Sequence, residues 1–471
     1  VSKTMNKSYQ QFCSSKFSRI QPSGIANLPE LPAHLFPFQR DLVRVALQRG
    51  RCALFADTGL GKTHQELAWA RAVAEHTQRP TLILTPLAVA AQTIALGARH
   101  NIAATRIGDA AEVQPGINVC NYDRAHRLDP SVFGGVVLDE ASVLKDYASA
   151  TRNQMNEMFC ATPFRLAATA TPAPNDWTEL GNQAQFLGIR TREEMLAEFF
   201  VHDGGSTQDW RLKGHAERAF WEWVASWALV VRRPSDLGYE DGGFALPELR
   251  LHERIVSLGN EYAHRSGSLF VESAHTLSEQ RAVRRNSIAE RVAIAAELVA
   301  AEPDESWLIW GELNDECDEA QKEIAGASQV AGKDDEVEKE DRLLAFAEGR
   351  LKRLVSKPGI CGHGLNFQSC ARQIFLGASH SYERVYQAIR RSWRYGQKRP
   401  VDVYFIATDA DRAVLENLRR KERDAQALAA QSSVHMIDLT RGIVRATSNE
   451  RADYVARVPM RVPSWLRSEA A

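Results

Sequence analysis

Short apolar runs alternate with amphipathic stretches along most of this chain. Residues 41–48 are amphipathic, and 52–55 form an apolar run that precedes a helical pattern beginning near His64. Residues 81–85 read as a strand closed by Pro86, residues 87–96 as a helix, and 117–120, 136–138 and 164–168 as further strands. A helix is expected over 177–187, and the nearly continuous apolar stretch 220–231 also has helical potential. After linker-like residues 238–247, alternation resumes with helices at 287–301 and 313–324 and strands at 307–310, 352–356, 372–376 and 401–406. Strands separated by helices imply parallel sheets, with ligands at the carboxyl ends of the strands. The expected fold class is therefore α/β, with two parallel-sheet lobes in tandem.

Composition fits that picture. The chain has 471 residues, 44% apolar and 25% charged, which suits a soluble protein of two or three domains. A net charge of -1 means that nucleic-acid binding has to come from local basic clusters. The seven cysteines are scattered without a Cys-x-x-Cys pair, which argues against a zinc or disulfide framework and for a reducing, cytoplasmic setting. No uninterrupted apolar run is long enough for a membrane span, and no signal-peptide pattern opens the chain.

The stretch Ala56-Asp57-Thr58-Gly59-Leu60-Gly61-Lys62-Thr63 lies between a strand and a helix, the context of a phosphate-binding loop. Gly59 and Gly61 let backbone N–H groups turn toward an anion, with Thr58 and Leu60 between and beside them, and the helix directs its positive end there. Lys62 is expected to reach the outer phosphates of ATP, and the Thr63 hydroxyl to hold Mg²⁺. Upstream, Gln39 could read an adenine edge with its amide. Downstream, the apolar run 135–138 ends in Asp139 and Glu140. Asp139 is expected to hold Mg²⁺, and Glu140 to orient and deprotonate the attacking water. Thr169 and Thr171 follow another strand and suit coupling between this site and the neighbouring lobe, as does Asn175, which is equally read as a helix cap.

In the second lobe, Gly362 and Gly364 would allow close approach to phosphate. Gln387, Arg391 and Arg394 occupy successive turns of an expected helix, with the two arginines on one face. Such a pair is either a solvated basic or nucleic-acid-binding face, or a pair of arginine fingers for the γ-phosphate. Trp210, Trp221, Trp223 and Trp227 read mostly as core, with base stacking the minor reading. Arg232 and Arg233 form an adjacent cation pair, and 333–342 is a charged stretch read as a solvated helix face or loop.

These motifs, in this order, resemble the superfamily-two helicases of the Snf-type branch, in the compact form that bacteria and phages encode. The likeness covers about residues 35–407. It rests on Phe38-Gln39, on 57–63, on Leu84-Thr85-Pro86, on 139–142, and on Thr169-Ala170-Thr171-Pro172 with Asn175. In the second lobe it rests on 307–310, 362–366 and 387–397, and between the lobes on Val231-Arg232-Arg233 with Leu246-Pro247. The resemblance implies two RecA-like lobes with a nucleotide cleft between them, ATP and Mg²⁺ as cofactors, and Lys62, Asp139, Glu140, Gln387, Arg391 and Arg394 as the hydrolytic set. It implies movement along DNA, duplex DNA favoured, in replication, recombination or repair, by a monomer in the simplest case. Rival readings are the motor subunit of a restriction or defence complex, an RNA-directed motor, and a non-hydrolysing clamp. Ser142 stands where many relatives carry histidine, and Trp393 and Tyr395 depart from the usual residues of the last motif. The expected divisions are a polar arm over 1–30, a first lobe over 31–235, a connection over 236–285, a second lobe over 286–445 and a tail over 446–471.

Overall fold

The computed structural model describes residues 24–448, apart from 87–88, 146–148, 174–175, 203–209, 257–283, 362–365 and 378–380. The first lobe is a seven-stranded, all-parallel sheet. Its strands are β1 (Arg51–Ala56), β2 (Thr81–Thr85), β3 (Ala104–Arg106), β4 (Ile117–Asn121), β5 (Gly135–Asp139), β6 (Phe164–Thr169) and β9 (Ala228–Val231), ordered β3-β4-β2-β5-β6-β1-β9. The central strands are buried on both faces, which is why they read as unbroken apolar runs. Helices α1 (Pro37–Arg49), α2 (Lys62–Thr77), α3 (Ala90–Arg99), α4 (Ala150–Met158), α5 (Leu180–Phe186), α6 (Arg192–Phe199) and α7 (Glu217–Trp227) accompany this sheet, with a hairpin of β7 (Phe200–His202) and β8 (Trp210–Leu212).

The second lobe is a six-stranded parallel sheet, ordered β10-β15-β14-β11-β13-β12. Its strands are β10 (Leu249–Val256), β11 (Trp307–Trp310), β12 (Ala327–Val330), β13 (Arg353–Ser356), β14 (Arg372–Leu376) and β15 (Val401–Thr408). Its helices are α8 (Ile288–Ala301), α9 (Asn314–Glu323), α10 (Glu336–Ala347), the single turn α11 (Pro358–Cys361) and α12 (Tyr382–Ile389). Buried Arg291 and the nearly buried Arg284 clamp the Glu316 carboxylate at 2.8 and 2.7 Å, fixing α9 against α8. The two parallel-sheet α/β lobes in tandem are those expected from the alternation of runs.

Four boundaries move. The apolar stretch 220–231 is not one helix: α7 stops at Trp227 and the next four residues pair with β1 as an edge strand. A continuously apolar run satisfies both periodicities, and only the vacant edge of β1 decides between them. The polar arm is shorter than 1–30, because Ile25 is 2% exposed in the first lobe's core and its N–H bonds to the Leu47 carbonyl. The connection 236–285 contains β10, a charged edge strand of the second sheet, so that lobe begins by Leu249. The Trp cluster is chiefly core as expected, with Trp227 and Trp221 buried. Trp210 is half-buried, and with Trp177, Arg211 and Lys213 it lines an open cavity of about 330 Å³.

The fourth boundary concerns the last helix, α13 (Arg412–Ser448), assigned by sequence to the second lobe up to residue 445. It starts in that lobe, where Val414, Leu415 and Leu418 join the core. It then returns to the first lobe and places Met436 and Val444 in the two cores flanking that sheet. The Thr440 hydroxyl accepts the Val230 N–H at 3.3 Å, and Arg441 donates to the Asp236 carbonyl at 2.7 Å. One helix thus covers the open edge left by β9 and joins both cores.

Candidate functional site

The phosphate-loop sequence folds as expected from its glycines. Between β1 and α2, Gly59 and Gly61 take φ of +92° and +76°, a region costly for any residue with a Cβ. Space is equally restrictive: a Cβ on Gly61 would lie 2.4 Å from Gln39 Nε2, and one on Gly59 2.9 Å from the Tyr395 backbone nitrogen of the other lobe. The Leu60 carbonyl is held by the Gln39 and Gln65 amides at 2.8 and 3.0 Å. Gln39 is 3% exposed, and its other amide end accepts the Phe36 N–H at 3.0 Å. The amide expected to face adenine therefore tethers the loop to the start of α1. Beside it, Phe36, Phe244 and Tyr395 form an aromatic group, with Phe244 and Tyr395 stacked at 4.3 Å.

Lys62 and Thr63 open α2 at the loop's end. Lys62 Nζ donates to the Ala56 carbonyl at 2.9 Å, and burial lowers its proton affinity against the pull of Glu140, Asp57, Glu66 and Asp139. Thr58 donates its N–H and hydroxyl to the Asp57 carboxylate, at 2.7 and 3.1 Å.

Asp139 ends β5 and is 8% exposed, with its backbone carbonyl held by the Tyr122 hydroxyl at 2.8 Å. Burial, then the neighbouring Glu140 charge, pushes its carboxyl up to about 6. Glu140 follows at φ 61°, ψ 56°, a left-handed conformation that a non-glycine residue adopts only when its surroundings compel it. Its Oε1 accepts the Thr169 hydroxyl at 2.7 Å and the Ser142 hydroxyl at 2.9 Å. Thr169 Oγ1 in turn accepts the Thr171 N–H at 3.0 Å. Ser142, the departure from the usual histidine, is thus one of two hydroxyls orienting Glu140, and Thr169 links that carboxylate to Thr171.

Glu66, one turn into α2, escaped sequence reasoning because it occupies an apolar face with no motif to mark it. It is fully buried, closed in beside Asp139, Lys62 and Glu140. Burial, then the Asp139 charge, holds its proton affinity well above the carboxylate range. A carboxyl that binds its proton more tightly folded than unfolded makes folding less favourable as pH rises above the unfolded value of about 4.3. Glu66→Gln is therefore expected to gain thermal stability over the nucleotide-free parent by a margin that widens as pH rises toward neutrality. Melting curves across a pH series check this, and a margin flat in pH refutes it.

From the second lobe, the expected helix carrying Gln387, Arg391 and Arg394 ends early. Only Gln387 lies on α12, buried, and both arginines lie in the turn that follows. The turn changes which side chain faces where. Arg390, flanked by the rings of Tyr386 and Trp393, pairs with Asp57 of the phosphate loop at 2.7 Å. The Tyr386 hydroxyl donates to the same carboxylate at 3.2 Å. Arg391 is 8% exposed, close enough to Asp139 for its charge to lower that carboxyl's proton affinity. Arg394 Cβ lies 3.6 Å from the position of a Cβ on Gly59, and its buried Nε has no hydrogen-bond partner. Burial, then Arg391 and Arg390, brings its guanidinium down to about 9.

The residues fit a nucleoside triphosphate and a divalent cation. The cradle has no room for side chains, and a cluster of cations beside it includes an orphaned buried guanidinium nitrogen. Thr63 and Asp139 offer oxygen donors of the kind that Mg²⁺ takes. Gly364 and Asn175 lie outside the described residues. Arg232 and Arg233 are exposed just past β9, with Arg233 3.5 Å from Asp236.

No known protein-family model matches the chain. At 23% identity over 454 residues it is similar to the "Putative protein p41" of Acyrthosiphon pisum secondary endosymbiont phage 1, over 84% of this chain and 98% of that protein. Among solved structures it is similar to the Sulfolobus solfataricus SWI2/SNF2 ATPase core in complex with dsDNA, at 18% identity and a TM-score of 0.42, over 89% of this chain and 97% of that one. The strand pairings of this chain themselves define two tandem parallel-sheet α/β lobes, with a glycine-built strand-to-helix loop in the first abutted by an arginine-rich turn of the second.

Proposed function

We propose that this protein is an ATP-dependent DNA translocase, in which hydrolysis between the lobes drives movement along duplex DNA. The observation that carries the reading is the convergence at Gly59: one lobe contributes the phosphate loop and an oriented Glu140, the other contributes Arg391 and Arg394. Such a site is complete only when the lobes are closed, so hydrolysis is coupled to their relative position.

In this reading the backbone around Gly59 and Gly61 and the Lys62 ammonium bind the triphosphate, and the aromatic group at Phe36, Phe244 and Tyr395 receives the base. Thr63 and Asp139 would hold Mg²⁺, which when bound offsets phosphate charge. Glu140, fixed by Thr169 and Ser142, orients a water against the γ-phosphorus and takes its proton. The guanidinium groups of Arg391 and Arg394 offset the negative charge that grows on the transferring group. Asp57 holds Arg390 and so seats the arginine turn against the loop. DNA as the track is supported by the order of sequence motifs and by the exposed Arg232 and Arg233 beyond the sheet edge. Motion without strand separation follows the Snf-type resemblance.

The test is steady-state ATP hydrolysis by the purified chain alone and with duplex DNA, single-stranded DNA or RNA, at low and moderate salt. Stimulation by duplex DNA that weakens with salt is expected from a grip on phosphates. Stimulation by RNA alone, or by no nucleic acid, refutes the duplex-DNA assignment.

A further inference from the structure

Three histidines from three separate segments meet on the first lobe. His34 lies in the turn before α1, His64 is the third residue of α2, and His100 caps the end of α3. The His34 and His100 rings stack at 3.9 Å, and His64 lies 5.5 and 5.0 Å from them, tilted to the first and edge-on to the second. One ligand nitrogen from each falls within 4.8 Å of the other two, and among the described residues this is the only such grouping of metal-ligating side chains. His64 Nδ1 is buried and has no hydrogen-bond partner. A ring nitrogen shut away from water without a partner is costly, and a metal ion would satisfy it.

We infer that His34, His64 and His100 form a site for a transition-metal ion of the zinc class. Imidazole suits Zn²⁺, Ni²⁺ and Cu²⁺, whereas Mg²⁺ and Ca²⁺ take oxygen donors, so this site is chemically distinct from the carboxylates at Asp139. Tetrahedral ligands at about 2.0–2.1 Å from zinc stand about 3.3 Å apart, so the stacked rings must splay by rotating about their side-chain bonds. All three residues are half-buried, which leaves a fourth position open to water. An ion there ties the start of α1, which carries Gln39, to the first turn of α2, which carries Lys62 and Thr63, and to the end of α3. The site thus pre-orders the phosphate loop without touching a nucleotide.

The test uses the full-length protein without nucleotide, in excess Mg²⁺, titrated with Zn²⁺ and with Co²⁺ and read by calorimetry and visible absorption. One ion per chain is expected, with the intense visible bands of tetrahedral cobalt, and zinc should raise the melting temperature. His34→Ala and His100→Ala should each weaken zinc binding at least tenfold and abolish the zinc-dependent rise in melting temperature. Equal binding by parent and variants, or no stoichiometric binding by the parent, overturns the assignment. X-ray absorption of the zinc-loaded parent provides a readout that does not depend on how the variants fold: three imidazole rings in the scattering support the site, and an oxygen-only shell overturns it. Every readout is metal binding, so the outcome is independent of ATP hydrolysis.

Discussion

Glu140→Gln is expected to lower the rate of ATP hydrolysis about 10²- to 10⁴-fold while nucleotide binding persists. The substitution keeps the size of the side chain and its ability to accept from Thr169 and Ser142, whose hydroxyls lie 2.7 and 2.9 Å from Oε1. It removes only the capacity to take a proton from water. The left-handed backbone at this residue aims the side chain independently of its charge, so the amide should occupy the carboxylate's place. Single-turnover hydrolysis and binding of a fluorescent nucleotide separate the two effects. Parental turnover in the glutamine variant would remove Glu140 from the base role, and loss of binding would make it a structural residue.

Arg394→Ala, and separately Arg391→Ala, should slow turnover by about 10³-fold with little change in ATP affinity. Arg394 Cβ is packed beside Gly59 and the Arg391 charge is felt at Asp139, so both residues approach the first lobe's site from the second. Their mutual repulsion is tolerable only opposite an anion, and the anionic charge is greatest in the transition state. Arg390 should behave differently. Its guanidinium is committed to Asp57, so Arg390→Ala unseats the turn and leaves a partly buried carboxylate without its cation. That variant should raise KM as well as lower kcat. The split is read from full steady-state curves of the three variants, and identical profiles would deny the arginines separate roles.

Much of the local structure at this candidate site was legible in the sequence because its signals are local. A strand, two glycines and a lysine within a dozen residues specify a strand-to-helix turn of the kind that can face an anion, and Asp139-Glu140 is marked by the apolar strand that ends there. The alternation of runs likewise gave both lobes, since a strand buried on both faces must be apolar throughout. Other expectations failed where a local pattern allowed two outcomes. The stretch 220–231 satisfied helix and strand alike, and the turn after Ile389 altered the facing of Arg390, Arg391 and Arg394, which a continuing helix would have arranged otherwise.

What the chain alone determined is therefore the central strands of both sheets and the residues placed at their ends, because hydrophobic period, glycine conformations and adjacent carboxylates act over a few residues. Tertiary structure decided the pairings between distant segments. Asp57 meets Arg390 across 333 positions, Glu66 is closed in beside Asp139, three histidines converge from separate turns, and α13 crosses back to seal β9. None of these leaves a local trace, since a charged or imidazole side chain looks the same in sequence whether it is solvated or enclosed, and only the packing of the two sheets determines which it becomes.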